Sequence, residues 1–208
     1  MRLNADEFNE FLGFMGQSFT MRRGYACPCV NKASGQPNPT CPRCLAKGRF
    51  WDGPVLPGIA GVVSQQRLRN YAQFGPFDQD DMLLSIPSDS ALYAIGQYDR
   101  VEALNRTEPF SINFVRGLND PPKFTIISIE RAFYFDDDTE IVELAPVVTD
   151  GALDWDGAPP PAGKTYSLTG RRAPEYFCYL ELPTDRPQHM GEPLPRRVIL
   201  RRMDLFGR

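Results

Sequence analysis

Four of the chain's five cysteines fall within eighteen residues, in "CPCVNKASGQPNPTCPRC" from Cys27 to Cys44. Cys27 and Cys29 are one residue apart, Cys41 and Cys44 are two apart, and the interval Val30 to Thr40 joins the pairs. Two such knuckles can close a tetrahedral shell of thiolates around Zn²⁺, because each pair supplies one edge of the tetrahedron. "CPRC" has a common knuckle spacing, whereas "CPC" makes a tighter bite and sets its two sulfurs at an unusual angle. Proline follows both Cys27 and Cys41, which pre-sets each turn and lowers the cost of ordering the site. A closed four-sulfur shell has no open coordination position, so the expected role of Cys27, Cys29, Cys41 and Cys44 is structural. Two disulfides, a reduced loop without metal, and an iron-sulfur cluster are the competing readings at this point.

Other residues with catalytic or binding capacity are sparse. The single histidine, His189, lies in "DRPQHMGEPLPRR" with no nucleophile at a suggestive spacing. The acids of "DDDTE", Asp136 to Glu140, lack the spacing of a calcium loop and suit a hairpin turn. No phosphate-binding glycine loop, dinucleotide motif, GxSxG or HExxH is present, so an enzyme is not expected. Arg43, Lys47 and Arg49 beside Phe50 and Trp51 could track a phosphate backbone and stack bases, the basis of an alternative reading as a zinc-ribbon nucleic-acid-binding protein. Asp52 follows at once, and such a small patch carries little binding through counterion release unless many copies act together.

The elements that must position these residues are mainly strands. Asn4 and Glu7 have capping-box spacing, and Phe8, Phe11, Leu12, Met15 and Phe19 recur at steps of three and four, predicting one amphipathic helix from Ala5 to Gln17 within an N-terminal segment 1–21. Residues 22–52 form the cysteine segment, and residues 53–208 form a body of short alternating runs. "AGVVSQQRL", "DMLLSIP", "ALYAIG", "DRVEAL", "FSINFVRG", "FTIISIERAFYF", "IVELAP", "TYSLTG", "EYFCYLEL" and "RRVILRRMDLF" each suit a strand. With 20 prolines and 17 glycines as punctuation, the fold class expected is mainly β, a barrel or sandwich with an N-terminal helix and a zinc-binding insertion. Residues 150–163, "DGALDWDGAPPPAG", read as an exposed loop, and Cys178 reads as a buried strand residue.

The net charge of -3 is unevenly spread: residues 1–170 hold 15 Lys and Arg against 21 Asp and Glu, while residues 171–208 hold 8 against 5. The basic C-terminal stretch reads either as a terminal strand or as an arm that docks on an acidic neighbour. No apolar run approaches the ~20 residues that cross a bilayer. The acids of the first residues interrupt any signal-like run, so the expectation is a chain made in the cytoplasm with reduced thiols.

The order of these features resembles a known group. A short helix, the CPC…CPxC segment, a body containing "IPSDSALYAIGQYDRV" and the ending "RRVILRRMDLFGR" together resemble structural proteins of the head-completion and neck region of tailed bacteriophages. The resemblance implies a ring-forming stopper or adaptor assembled into the virion, which joins the head to the tail and helps retain packaged DNA. Its implied partners are copies of itself, the portal or an adaptor, a tail terminator or tail tube protein, and DNA in the lumen. It also implies that the helix and basic arm reach neighbouring subunits, and that the loop around Trp155 is a docking surface. A tail terminator or baseplate component is the neighbouring alternative.

Overall fold

A computed structural model describes residues 5–63, 81–137, 139–182, 188–189 and 191–206. The chain is mainly β with one N-terminal helix, as the short alternating runs predict. It forms two compact units, one of residues 1–104 with 175–208 and one of residues 105–174.

The first unit opens with α1 (Ala5–Met15) and β1 (Gln17–Arg22), followed by the two-residue strands β2 (Tyr25–Ala26) and β3 (Arg49–Phe50) around the cysteine segment. Next come β4 (Leu56–Val63), β5 (Met82–Ile86) and β6 (Arg100–Ala103). The second unit holds β7 (Glu108–Val115), β8 (Ile126–Phe135), β9 (Ile141–Leu144), β10 (Pro146–Thr149), β11 (Ala152–Trp155) and β12 (Thr165–Arg172). The chain then returns to the first unit with β13 (Glu175–Glu181), β14 (Gln188–His189), β15 (Glu192–Pro193) and β16 (Arg196–Arg202).

Six strands close a barrel in the order β1-β4-β5-β16-β13-β6, with β6 returning to pair with β1. Period-two alternation fills it: Phe19 and Met21, Met82, Leu84 and Ile86, Val101 and Ala103, Tyr176 and Cys178, Val198 and Leu200 point to one shared core. β5 is buried on both faces because its outward Leu83 packs with Ile199 and Leu182. Leu92 and Ile95 also join the barrel core.

Several sequence expectations change here. Phe19 is not the end of the helical stripe but the first core residue of β1. The helix stops at Met15 because Gly16 lies against β4, where an added Cβ would fall 2.4 Å from Ile59 Cγ2. Asn4 lies outside the described residues, as does the end of the run beginning "AGVV" beyond Val63. "ALYAIG" opens as a 3₁₀ turn, Ala91–Ala94, because the Ser90 hydroxyl caps Leu92 N–H and outcompetes an extended backbone. The C-terminal stretch is a barrel strand and not an arm: Val198, Ile199 and Leu200 are wholly buried between β5 and β13. Three of its cations are paired within the unit, Arg196 with Glu181, Arg201 with Asp81, and Arg202 with Asp204.

In the second unit the antiparallel sheet β7-β12-β8-β9 packs Phe110, Phe114, Ile126, Ala132, Tyr166 and Leu168 against the β10-β11 hairpin. The stretch expected as a loop from Asp150 therefore contains a strand, and Trp155 packs edge-on against Tyr166 at 5.4 Å instead of standing on an exposed loop. Arg116 and Tyr166 both bond to the Asp120 carboxylate, which ties the β7-β8 connection to the sheet. Gly170 sits at a bulge against β8, and a Cβ there would lie 2.2 Å from the Ser128 carbonyl oxygen. Gly170→Ala is expected to cost about 1–3 kcal/mol, read as a lower urea midpoint of unfolding.

Candidate metal centre

The cysteine segment leaves the barrel after β1 and returns to it at β4. Its neck is the small ladder in which Tyr25 pairs with Phe50 and Ala26 with Arg49. Side-chain turns shape what lies beyond: the Asn31 carboxamide oxygen accepts from Ala33 and Ser34 N–H, and the Asn38 oxygen accepts from Thr40 N–H and its hydroxyl. Cys27 N–H donates to the Gly48 carbonyl at 2.9 Å, which fixes the first knuckle beside the chain returning from the second. After Cys44 the backbone passes through three left-handed residues, Leu45, Ala46 and Gly48. Such conformations at Leu45 and Ala46 persist where the surroundings over-determine them.

The four sulfurs predicted from sequence converge. Their Sγ atoms all lie within 4.8 Å of one another, and Cys27 to Cys41 and Cys29 to Cys44 are 3.8 and 3.4 Å apart. A four-thiolate shell with metal–sulfur bonds of about 2.3 Å has tetrahedral edges of about 3.8 Å. All five cysteines are free, and the cluster distances are too long for sulfur–sulfur bonds. The close pairs run between the knuckles, so each short "CPC" or "CPRC" turn presents its sulfurs to the other turn. The four residues fit a metal ion by donor type and by spacing, and the cluster is the one group of three or more metal-ligating side chains among the described residues.

The electrostatics suit ligation. Backbone N–H groups of Cys44 and Arg43 directed at the Cys41 sulfur bring that thiol down to about 6, so it is a thiolate at neutral pH. Desolvation pushes the Cys29 thiol up to about 12, so a metal entering the site displaces its proton. Cys178, buried in β13, is also pushed up to about 12 by desolvation and stands apart from the cluster as a barrel core residue.

The root of the segment is anchored by contacts that sequence reasoning missed. Asp99, 3 % exposed, accepts from Arg23 Nη1, Gly24 N–H and Gly96 N–H, each at 2.8 Å. Gly24 approaches so closely that a Cβ would lie 2.4 Å from the Tyr98 carbonyl oxygen. Trp51 donates its indole N–H to that same oxygen at 2.8 Å and packs edge-on against Phe206. Arg49 lies over the Tyr98 ring at 4.1 Å, and Phe206 also packs on Phe177. The "GQYD" phrase, Gly96 to Asp99, held the available signal, a turn glycine with a carboxylate behind it, but nothing in it names Arg23 or Trp51 as partner.

Other sequence candidates stay separate. His189 pairs with Glu192 in the β14-β15 ladder. Asp136 closes the β8-β9 turn by accepting from Glu140 N–H, and Asp137 pairs with Lys164. Arg43 pairs with Asp52 at the surface, whereas Lys32 and Lys47 are exposed. Compared with known proteins, the chain matches no family model and no curated sequence.

Two outcomes follow from the cluster. Cys41→Ser is expected to lower bound metal below one per chain and to open the 27–48 segment to protease while the barrel stays folded, read by metal analysis and limited proteolysis. Acidification acts in the same direction: each ligand must be deprotonated, so metal retention is expected to fall as the pH is lowered and protons compete with the ion for the four sulfurs. A pH titration of released metal against a colorimetric chelator gives the profile.

Proposed function

We propose that this protein is a structural component of a tailed-phage virion, a ring-forming neck part that joins the portal and head to the tail and helps retain packaged DNA. Its metal is zinc in a closed, non-catalytic shell, since four soft sulfur donors at tetrahedral separation suit a d¹⁰ ion without redox chemistry.

The observation that carries the structural reading is how the cysteine lobe meets the barrel. The residues best suited to chemistry or base stacking near the cysteines, Arg23, Arg49 and Trp51, hold the lobe to Asp99 and Tyr98. A lobe fastened at its root and pinned by metal at its tip is a rigid projection on a closed barrel, the kind of element a ring of subunits uses to present a fixed surface. The portal or an adaptor on one side, and a tail terminator or tube on the other, are the partner classes that fit. A terminator or baseplate position uses the same construction.

The second reading, a zinc-ribbon nucleic-acid-binding protein, draws on the exposed Lys32 and Lys47 with Arg43. Native mass spectrometry separates the two. Rings, or monomer with rings, carrying one zinc per chain support the neck reading. A zinc-loaded monomer whose salt-sensitive DNA binding disappears in the Lys32→Ala/Arg43→Ala/Lys47→Ala variant, which leaves the Arg49 anchor in place, supports the second reading and overturns the first.

A further inference from the structure

Helix α1 is half committed to its own subunit. Leu12 is buried against β4, and the Asn9 carboxamide exchanges two hydrogen bonds with Ser88. The rest of its apolar surface faces outward: Phe8 is 42 % exposed, Phe11 59 %, Met15 62 % and Phe14 89 %. Three aromatic rings on an eleven-residue helix form the contiguous apolar patch that marks an interaction surface. Every charge on the helix is negative, from Asp6, Glu7 and Glu10.

The cysteine lobe has the opposite character. Residues 22–52 carry six Lys and Arg against the single acid Asp52. A divalent ion with four thiolates adds a charge of about -2, which leaves the loaded lobe positive. Leu45 on the lobe is 58 % exposed, with Tyr25 and Val55 at its root both 44 % exposed. The chain enters β1 from the helix at Gln17 and leaves it toward the lobe at Arg22, so the two roots stand at opposite ends of one strand, about 17 Å apart.

We propose that the phenylalanine face of α1 in one copy of this chain packs on the cysteine lobe of the next. The contact deepens the ring-forming reading above and rests on it. Helix-to-helix pairing of two copies would set Glu7 and Glu10 against their own kind, which costs affinity, whereas the lobe carries exposed Lys32, Arg43 and Lys47 together with exposed Leu45. Of the other basic concentration in the sequence, Arg196, Arg201 and Arg202 are paired inside the barrel unit. Because the two patches lie at different places on the subunit, the contact is head-to-tail, and a head-to-tail contact closes into a ring when its rotation divides a full turn.

The test is sedimentation velocity of the full zinc-loaded chain with two charge-reversed variants, Glu7→Lys/Glu10→Lys on the helix and Lys32→Glu/Arg43→Glu on the lobe. Each alone is expected to weaken self-association at least about tenfold. An equimolar mixture restores it, because each variant's lobe then matches the other's helix. Phe11→Ser/Phe14→Ser weakens association and is not rescued by the helix variant; mixed with the lobe variant, whose helix is intact, it recovers one contact per pair and gives dimers without rings. Zinc content and circular dichroism equal to the parent chain show that folding is intact. If the chain assembles but ignores both reversals, or if the mixture stays dissociated while the parent assembles, the contact is overturned and the ring reading stands. If the parent remains monomeric and binds DNA through the lobe or another protein through the helix, contact and ring reading fall together.

Discussion

A segment with almost no core must be held by something other than burial. Between Arg22 and Trp51 only Cys27 and Cys44 are buried, so hydrophobic contact cannot define this lobe. Two sets of polar contacts take its place. At the tip, four sulfurs lie at the separations of a tetrahedral shell, and a metal ion held there would supply folding free energy to the residues between them. At the root, the Asp99 carboxylate collects three donors, from Arg23, Gly24 and Gly96. Removing that carboxylate would leave the part-buried Gly24 and Gly96 N–H groups without this acceptor.

The barrel makes this arrangement useful by fixing where the lobe begins. β1 pairs with β4 on one side and β6 on the other, so it is the strand through which the sheet closes on itself. The same six residues connect the helix to the lobe, and their inward side chains, Phe19 and Met21, are fully buried. Movement of the lobe root along β1 would have to break two ladders and flip a core face, since a one-residue slip turns every side chain over. Asp99 and Arg100 lie at the start of β6, beside the end of β1, so the closure of the barrel and the anchoring of the lobe share the same few residues.

Local pattern was enough to read much of this. Short runs rich in β-branched, aromatic and other apolar residues, bounded by turn residues, identified β5, β6, β8, β13 and β16, and cysteine spacing identified all four clustered sulfurs. What failed depended on partners distant in sequence. Phe19 continued a helical period, and only the approach of β4 to Gly16 shows why the chain turns extended there. Trp155 stood among Gly, Pro and Asp, and its strand exists because Leu153 and Val148 have a sheet face to cover. The arginines near the C-terminus resembled a free arm because their acids, Asp81 and Glu181, come from other strands.

The pairing of those arginines also decides where positive charge remains available. Asp81 is 1 % exposed and takes a two-pronged contact from Arg201, which satisfies a buried carboxylate and removes that cation from any external partner. On the lobe, Arg23 and Arg49 are likewise turned to Asp99 and Tyr98, while Lys32 and Lys47 stay exposed. A single copy therefore offers only a few cations, and the free energy of counterion release scales with the number of charges neutralised. Repetition changes that arithmetic without changing any residue. Copies fixed side by side multiply the same few cations along one surface, and linked sites gain avidity well beyond any single one. One lobe taken singly is thus a weak module for an anionic partner, and only its repetition would give these few cations weight.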